Sequence, residues 1–332
     1  DSLRSRGLGD VYKRQQLLPG QVYVKVLASG LCGAQLHEIR GHKGNGKFLP
    51  HLMGHEGCGI VKEVGPGVTT VKEGDKVVMH WRPGSGIESE FPKYHLGEKI
   101  ISSGKCTTLS EFSIVSENRL TKVPHDTPTV LAAMLGCSLT TALGIIDNEC
   151  NLKFGESVAV IGCGGVGLNL IQAAKMKSAY PVYGVDINDK MFDLTHQIGV
   201  DIFTCDLEFI PEKVDVILDT TGVPEVISKA FDKLAPSGRL IMVGQPAPGT
   251  DLNIFNPLSM FDGQGKSIRA SQGGGTKPDE DIPRYIKLAN REMLDFNTLH
   301  TDTFALDNIN DAFDLLKTGN AGRIIIKIGE DD

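Results

Sequence analysis

SVAVIGCGGVGLNLIQAAKM, residues 157–176, decides the fold. SVAVI is a continuous apolar run of strand length, and GLNLIQAAKM carries helical spacing. Between them Gly162, Gly164, Gly165 and Gly167 frame G-x-G-x-x-G, with Val166 inside the turn. Alone, such a glycine pattern is weak. Between a strand and a helix it is specific, because each glycine has a job. The first makes the tight turn, the second lets backbone approach a pyrophosphate, and the third lets helix and strand pack closely. The helix N-terminus then presents free N–H groups to the phosphates.

Downstream, YPVYGVD is a second strand ending in Asp186. This lies about 20 residues past the glycines, where an acid accepts from an adenosine ribose. Ile187 and Asn188 follow it. No arginine stands there for a 2′-phosphate, so NAD is expected rather than NADP. The rhythm continues through the helix DKMFDLTHQIG, the strand VDVILDTTG, the helix PEVISKAFDKLA and the strand GRLIMVG. Apolar strands alternating with helices predict a doubly wound parallel sheet, placed at 139–272.

Outside that region the texture changes. From Gln21 to Val123 the runs VYVKVLA, GIVKEVG, GDKVVM and SEFSIVS are strands separated by Gly and Pro turns. TVLAAMLGCSLTTALGII, from Thr129, is apolar on helical spacing. After Gly273–Gly275 come two helical patterns and a last run, RIIIKI, which needs a sheet to join. The expected organisation is α/β. A β-rich unit formed by 16–138 and 273–332 is interrupted by the dinucleotide-binding unit. Residues 1–15, DSLRSRGLGDVYKRQ, are locally basic and without periodicity. They read as a non-native leader in place of a missing N-terminus.

Composition narrows the function. A length of 332 residues suits two domains. A net charge of -7 speaks against a nucleic-acid partner. No apolar run approaches a membrane span, and a cytoplasmic location is expected. The seven cysteines are scattered, without a C-x-x-C pair, which fits a reducing compartment better than a disulfide framework.

A nicotinamide domain needs a partner domain that presents a substrate and polarises its oxygen. Its candidates are Cys32 in SGLCGAQLHE, His55 and Glu56 in GHEGCG, and Cys137 in LGCSLTT. Two thiolates and an imidazole with an open fourth position suit a catalytic zinc. On spacing alone, buried thiols beside a turn histidine remain an open alternative.

The motif G-H-E-x-x-G-x5-G-x-x-V, on Gly54, His55, Glu56, Gly59, Gly65 and Val68, resembles the zinc loop of the medium-chain zinc-dependent alcohol dehydrogenases. PGQVYVKVLASGLCG, GDKVVM, LGCSLTTALG, VAVIGCGGVGL, GVDIN and AFDLLKTG resemble that family in the same order, over residues 16 to 332. The resemblance implies a GroES-like catalytic domain with an inserted Rossmann domain. It implies Cys32, His55 and Cys137 as the ligands of one catalytic zinc, with Glu56 beside the site or a transient ligand. It places Arg323 at the cofactor pyrophosphate, Thr141 and Val166 near the nicotinamide, and Trp81 on the substrate-pocket wall. His37 matches the end of a proton relay.

The implied reaction is reversible hydride transfer between an alcohol and NAD, giving an aldehyde or ketone, in a homodimer or homotetramer. A polyol or sugar dehydrogenase of the same superfamily, and more distantly a non-catalytic dinucleotide-binding protein, are the alternatives. Ala34 stands where the family carries a relay hydroxyl, and Gln35 where it carries an aspartate. Cys106 is the one cysteine in the lobe after GDKVVM, where two-zinc members carry four, so no structural zinc is expected.

Overall fold

The computed structural model describes residues 16–42, 49–96, 98–210, 213–254 and 256–330. The basic leader, residues 1–15, lies outside them. The first stretch folds as β1 (Gln21–Gly30), α1 (Gly33–Ile39), β2 (Glu56–Val64), β3 (Lys76–His80), β4 (Tyr94–Leu96), β5 (Lys99–Ile101), β6 (Phe112–Ser116) and β7 (Leu120–Lys122). Two short helices follow, α2 (Thr129–Met134) and α3 (Ser138–Gly144). The alternating stretch gives β8 (Val158–Ile161), α4 (Gly165–Met176), β9 (Val182–Val185), α5 (Phe192–Ile198), β10 (Ile202–Thr204), β11 (Val214–Asp219), α6 (Pro224–Asp232), β12 (Leu234–Met242) and β13 (Ser267–Ala270). The chain closes with α7 (Pro278–Ala289), β14 (His300–Ala305), α8 (Ile309–Thr318) and β15 (Arg323–Lys327).

Two main sheets result. In one, the order is β14-β15-β1-β2-β3-β7, with β6 also on β1. β1 is long enough to serve two partners along one side: residues 21–25 pair with β6 and residues 28–30 with β15. RIIIKI therefore finds its sheet beside the first strand of the chain. Val22, Val24 and Val26 alternate into a core with Val61, Val77, Met79 and Val115, as period-two patterning requires.

The other sheet runs β10-β9-β8-β11-β12-β13, parallel throughout. Counted from β8 this is the 3-2-1-4-5-6 order of a Rossmann fold, in which the crevice opens where the order reverses, between β8 and β11. VAVI is buried at every position, as a strand covered on both faces must be. Among the described residues no helix is long and apolar enough to cross a membrane.

One element departs from the expected pattern. The apolar helical spacing from Thr129 runs unbroken, yet the helix stops after Met134 and restarts at Ser138. Gly136 sits in the break. A Cβ there would overlap the Met79 carbonyl oxygen and come within 2.7 Å of the Glu56 Cα. The chain turns here because it passes directly against β2 and β3, and that contact delivers Cys137 to the start of α3.

Candidate metal centre and dinucleotide cleft

Three sequence-distant groups converge from the end of β1, the start of β2 and the start of α3. Cys32 stands at the end of β1 as the N-cap of α1, its backbone N–H donating to Gln35 Oε1 at 2.8 Å. His55 immediately precedes β2. It follows Gly54, whose φ of +94° and contact with Thr108 leave no room for a side chain. Cys137 is the N-cap of α3. The two sulfurs and an imidazole nitrogen all lie within 4.8 Å of one another. A four-coordinate zinc with bonds of about 2.0–2.3 Å needs donors about 3.5–4 Å apart, so this donor set and spacing fit the ion.

The electrostatics agree with a thiolate-bearing centre. Cys137 donates toward Cys32 and holds that thiol well below its ordinary range against the opposing effect of burial, with His55 and Arg323 helping. The same interaction, with burial, pushes Cys137 up. Burial pulls the His55 imidazole down, but the Cys32 sulfur and the carboxylates of Glu56 and Glu38 outweigh it and leave it raised. Two such thiols sharing a proton are poised to lose it to a cation.

Glu56 is fully buried and lies outside that trio. Its Oε2 accepts from the Ser138 backbone N–H at 3.2 Å, next to Cys137, and its Oε1 pairs with Arg323 Nη2. Arg323, at the start of β15, is 3% exposed. Its side chain also lies against the glycine loop: a Cβ on Gly165 would come within 2.7 Å of its Cδ. Its Nε is buried with no partner among the described residues, a donor left over beside the glycine turn.

The turn itself matches the roles its glycines carry. Gly162 has φ +87°, Gly167 packs on the Gly162 carbonyl with no space for a Cβ, and a Cβ on Gly164 would meet nothing within 4 Å. The second glycine faces open space, as a cradle for a pyrophosphate should. Asp186 Oδ2 accepts from the Cys163 N–H at 2.7 Å and Oδ1 from the Asn188 N–H at 2.9 Å, so the acid is fixed against the loop. The open Gly164 cradle and the spare Arg323 donor together fit a dinucleotide.

A cleft of about 380 Å³ opens beside the trio, and Cys32, His37, His55, Trp81, Thr141 and Val166 are on its wall. His37 is not drawn into the cysteine-histidine trio. It lines the cleft from α1 beside Ala34 and Glu38, its ring 5.7 Å from that of His42. Residues the sequence had not singled out are Glu38, on the cleft wall, and Gly136, packed against Met79 and Glu56. Gly136 had a legible signal, a glycine within an apolar helical run. Gln35 is fully buried, and its Nε2 has no partner among the described residues. In the lobe after β3, Cys106 is buried and its thiol is pushed up to about 12 by burial. Packing holds this lobe: Tyr94 is buried with Leu17, Tyr23, Ile101 and Ile114, and its hydroxyl accepts from the Ile114 N–H at 3.1 Å.

Comparison with known proteins gives a consistent result. Residues 18–125 match the alcohol dehydrogenase GroES-like domain family, and residues 165–291 the zinc-binding dehydrogenase family. An S-(hydroxymethyl)glutathione dehydrogenase from Escherichia coli O139:H28 is 30% identical, over 93% of this chain and 92% of its own length. The structure of benzyl alcohol dehydrogenase from Acinetobacter calcoaceticus superposes with a TM-score of 0.83 at 28% identity, covering 95% of this chain and 94% of that one. That of 2R,3R-butanediol dehydrogenase from Bacillus subtilis superposes with a TM-score of 0.73 at 26% identity, with the same coverage.

Proposed function

Because the chain belongs to the zinc-dependent medium-chain alcohol dehydrogenase family, we propose that it oxidises a primary or secondary alcohol reversibly to an aldehyde or ketone. NAD is the proposed hydride partner and one zinc ion the proposed metal. The observation that carries this reading is the placement of Cys32 and His55 on the same cleft wall as Thr141 and Val166, beside the glycine turn. Cys32, His55 and Cys137 would hold the zinc, and Gly162, Gly164, Gly165, Gly167, Asp186 and Arg323 the dinucleotide. When bound, the zinc supplies Lewis-acid polarisation of an oxygen and NAD supplies a hydride acceptor.

The protein's own groups do the rest. Trp81 confines the substrate and Thr141 and Val166 pack near the nicotinamide, so that the cleft holds the two together, where orientation contributes most. With alanine at position 34, His37 on α1, which lines the cleft, is the side chain proposed to take the alcohol proton toward solvent. The division into 16–138 with 273–332 around 139–272 is part of the same reading, supported by the separate memberships of the two sheets.

Elemental analysis, with NAD reduction followed by absorbance over primary alcohols, polyols, hydroxy-ketones and S-(hydroxymethyl)glutathione, tests the proposal. One zinc per chain and turnover of an alcohol are expected. His55→Ala should lose both while still binding NADH, and turnover by zinc-free protein would sink the reading. One observation favours a polyol or sugar substrate instead: Glu38, His37 and Gln272 put polar side chains on the cleft wall. A preference for polyols in the same screen would select it.

A further inference from the structure

Trp81 and Arg82 leave β3 at the point where the chain returns from the second sheet to the first. Arg82 Nε donates to the Thr276 carbonyl at 3.0 Å, and Arg82 Nη1 donates to the Gln272 carbonyl. One guanidinium thus ties both ends of the Gly273–Gly275 turn. The same group lies 5.6 Å from the centre of the Trp81 ring, a cation–π arrangement. Gly273, at φ +70°, is pressed into this corner: a Cβ there would come within 2.6 Å of Arg82 Cδ and 2.7 Å of Trp81 Cζ2. Trp81, Ser271, Gln272 and Gly273 all face the cleft, whose wall also holds Cys32 and His55.

We infer that Arg82 is a positioning residue that sets the substrate pocket, by fixing the Trp81 ring against the Gln272–Thr276 turn. This rests on the alcohol dehydrogenase reading. Arg82 is absent from the cleft wall itself, so it acts through Trp81 and Gly273. Both bonds are charge-assisted, roughly twice as strong as neutral ones, and they hold the turn at its two ends. Two of the tethered groups, the indole and the Gly273 peptide, belong to different segments of chain nearly 200 residues apart. Without the tether the ring and the turn move independently, and the pocket loses its defined width. The cost should fall on substrate binding more than on the chemical step.

Trp81 is the one tryptophan of the chain, so its emission reads this wall without any substrate. Arg82→Met is expected to shift the Trp81 emission and to raise KM for the best alcohol roughly tenfold, with kcat within about threefold of wild type. Arg82→Lys keeps a cation near the ring but cannot fork to both carbonyls, and should recover part of the loss. Gly273→Ala should shift the emission in its own right by forcing the ring outward. Unchanged emission and KM in folded Arg82→Met would overturn the inference. So would a fall in Tm with kcat and KM unaltered, the pattern of a merely structural residue. If Arg82→Met does not fold, Arg82→Lys decides, since a KM equal to wild type there has the same force. If wild-type protein turns over no alcohol, the functional reading fails separately, and the emission of the variants alone judges Arg82.

Discussion

The imidazole of His80 is buried behind the cleft wall, 1% exposed at the end of β3. Nδ1 donates to the Arg82 carbonyl at 2.7 Å, so Nε2 is left to accept from the Thr121 hydroxyl at 2.9 Å. That is a neutral ring in one tautomer. Burial pushes its pKa down to about 4; the Arg82 carbonyl opposes, Arg119 adds to the depression and Asp279 counters it. A histidine depressed on folding takes its proton first in the unfolded state. Its contribution is therefore complete above the unfolded value near 6.5 and lost as pH falls toward the folded one. The loss across that window should approach about 3 kcal/mol. Urea unfolding at several pH values should show it, and His80→Gln, which is less stable at pH 7, should flatten the slope between pH 6.5 and 4. Residues of this kind are hard to read in sequence. Cys32, His55 and Cys137 stood in motifs whose neighbours gave them away. His80 and Arg82 act through partners that only the fold brings near, Thr121 in one case and Gln272 in the other.

At the scale of elements, the break between α2 and α3 shows where sequence periodicity stops being informative. Apolar spacing reports which face of a segment is buried, and it is the same whether the segment is one helix or two. Only the glycine marks the interruption, and its meaning depends on β2 and β3 lying beneath it. Gly136→Ala should cost roughly 2–3 kcal/mol by overpacking against Met79 and Glu56. Because Cys137 follows directly, zinc content should fall with stability, which Tm and elemental analysis together would read. The lobe before β6 offers a second case. Glu117 is fully buried, and its carboxylate accepts from the backbone N–H groups of Thr69 at 2.7 Å, Thr70 at 2.8 Å and Ile87 at 2.7 Å. Burial raises its pKa, but these donors outweigh that and leave it lowered. Its stabilising effect is therefore present above the unfolded carboxylate pKa and fades as acid protonates the folded form. Glu117→Ala strands three donors and should cost about 3 kcal/mol or more. Proteolysis should then cut first near Ile87, where the lobe is released. Cleavage distributed as in wild type would refute that pin.

At the scale of the whole molecule, the strand–helix alternation made β8, β9, β11 and β12 legible, because parallel strands bury both faces and need crossover connections, whereas β10 and β13 were not singled out in the sequence. In the first sheet β1, β2, β3, β6 and β15 were legible as strands and β7 and β14 were not, and the order was hidden, since β15 joins β1 from the far end of the chain and no local signal encodes that pairing. This closure has a chemical consequence. β15 opens with Arg323, and its pairing beside Gly30 carries the guanidinium to Glu56 and to the glycine turn at once. Glu56 also holds the Ser138 N–H beside Cys137. A single buried ion pair thus spans from the Cys32–His55–Cys137 trio to the glycine loop. Removing the acid leaves a buried guanidinium unpaired, so Glu56→Ala should cost about 3–5 kcal/mol. Glu56→Gln is the more telling variant, since it keeps an acceptor for Ser138 while removing the charge that orients Arg323. Calorimetric titration with NADH should find binding weakened in Glu56→Gln and zinc retention lowered in the same protein. In a double-mutant cycle with Arg323→Lys the two losses should be non-additive, with a coupling of about 1 kcal/mol or more. Additive losses would mean that the two sites are held independently, and that the pair serves packing alone.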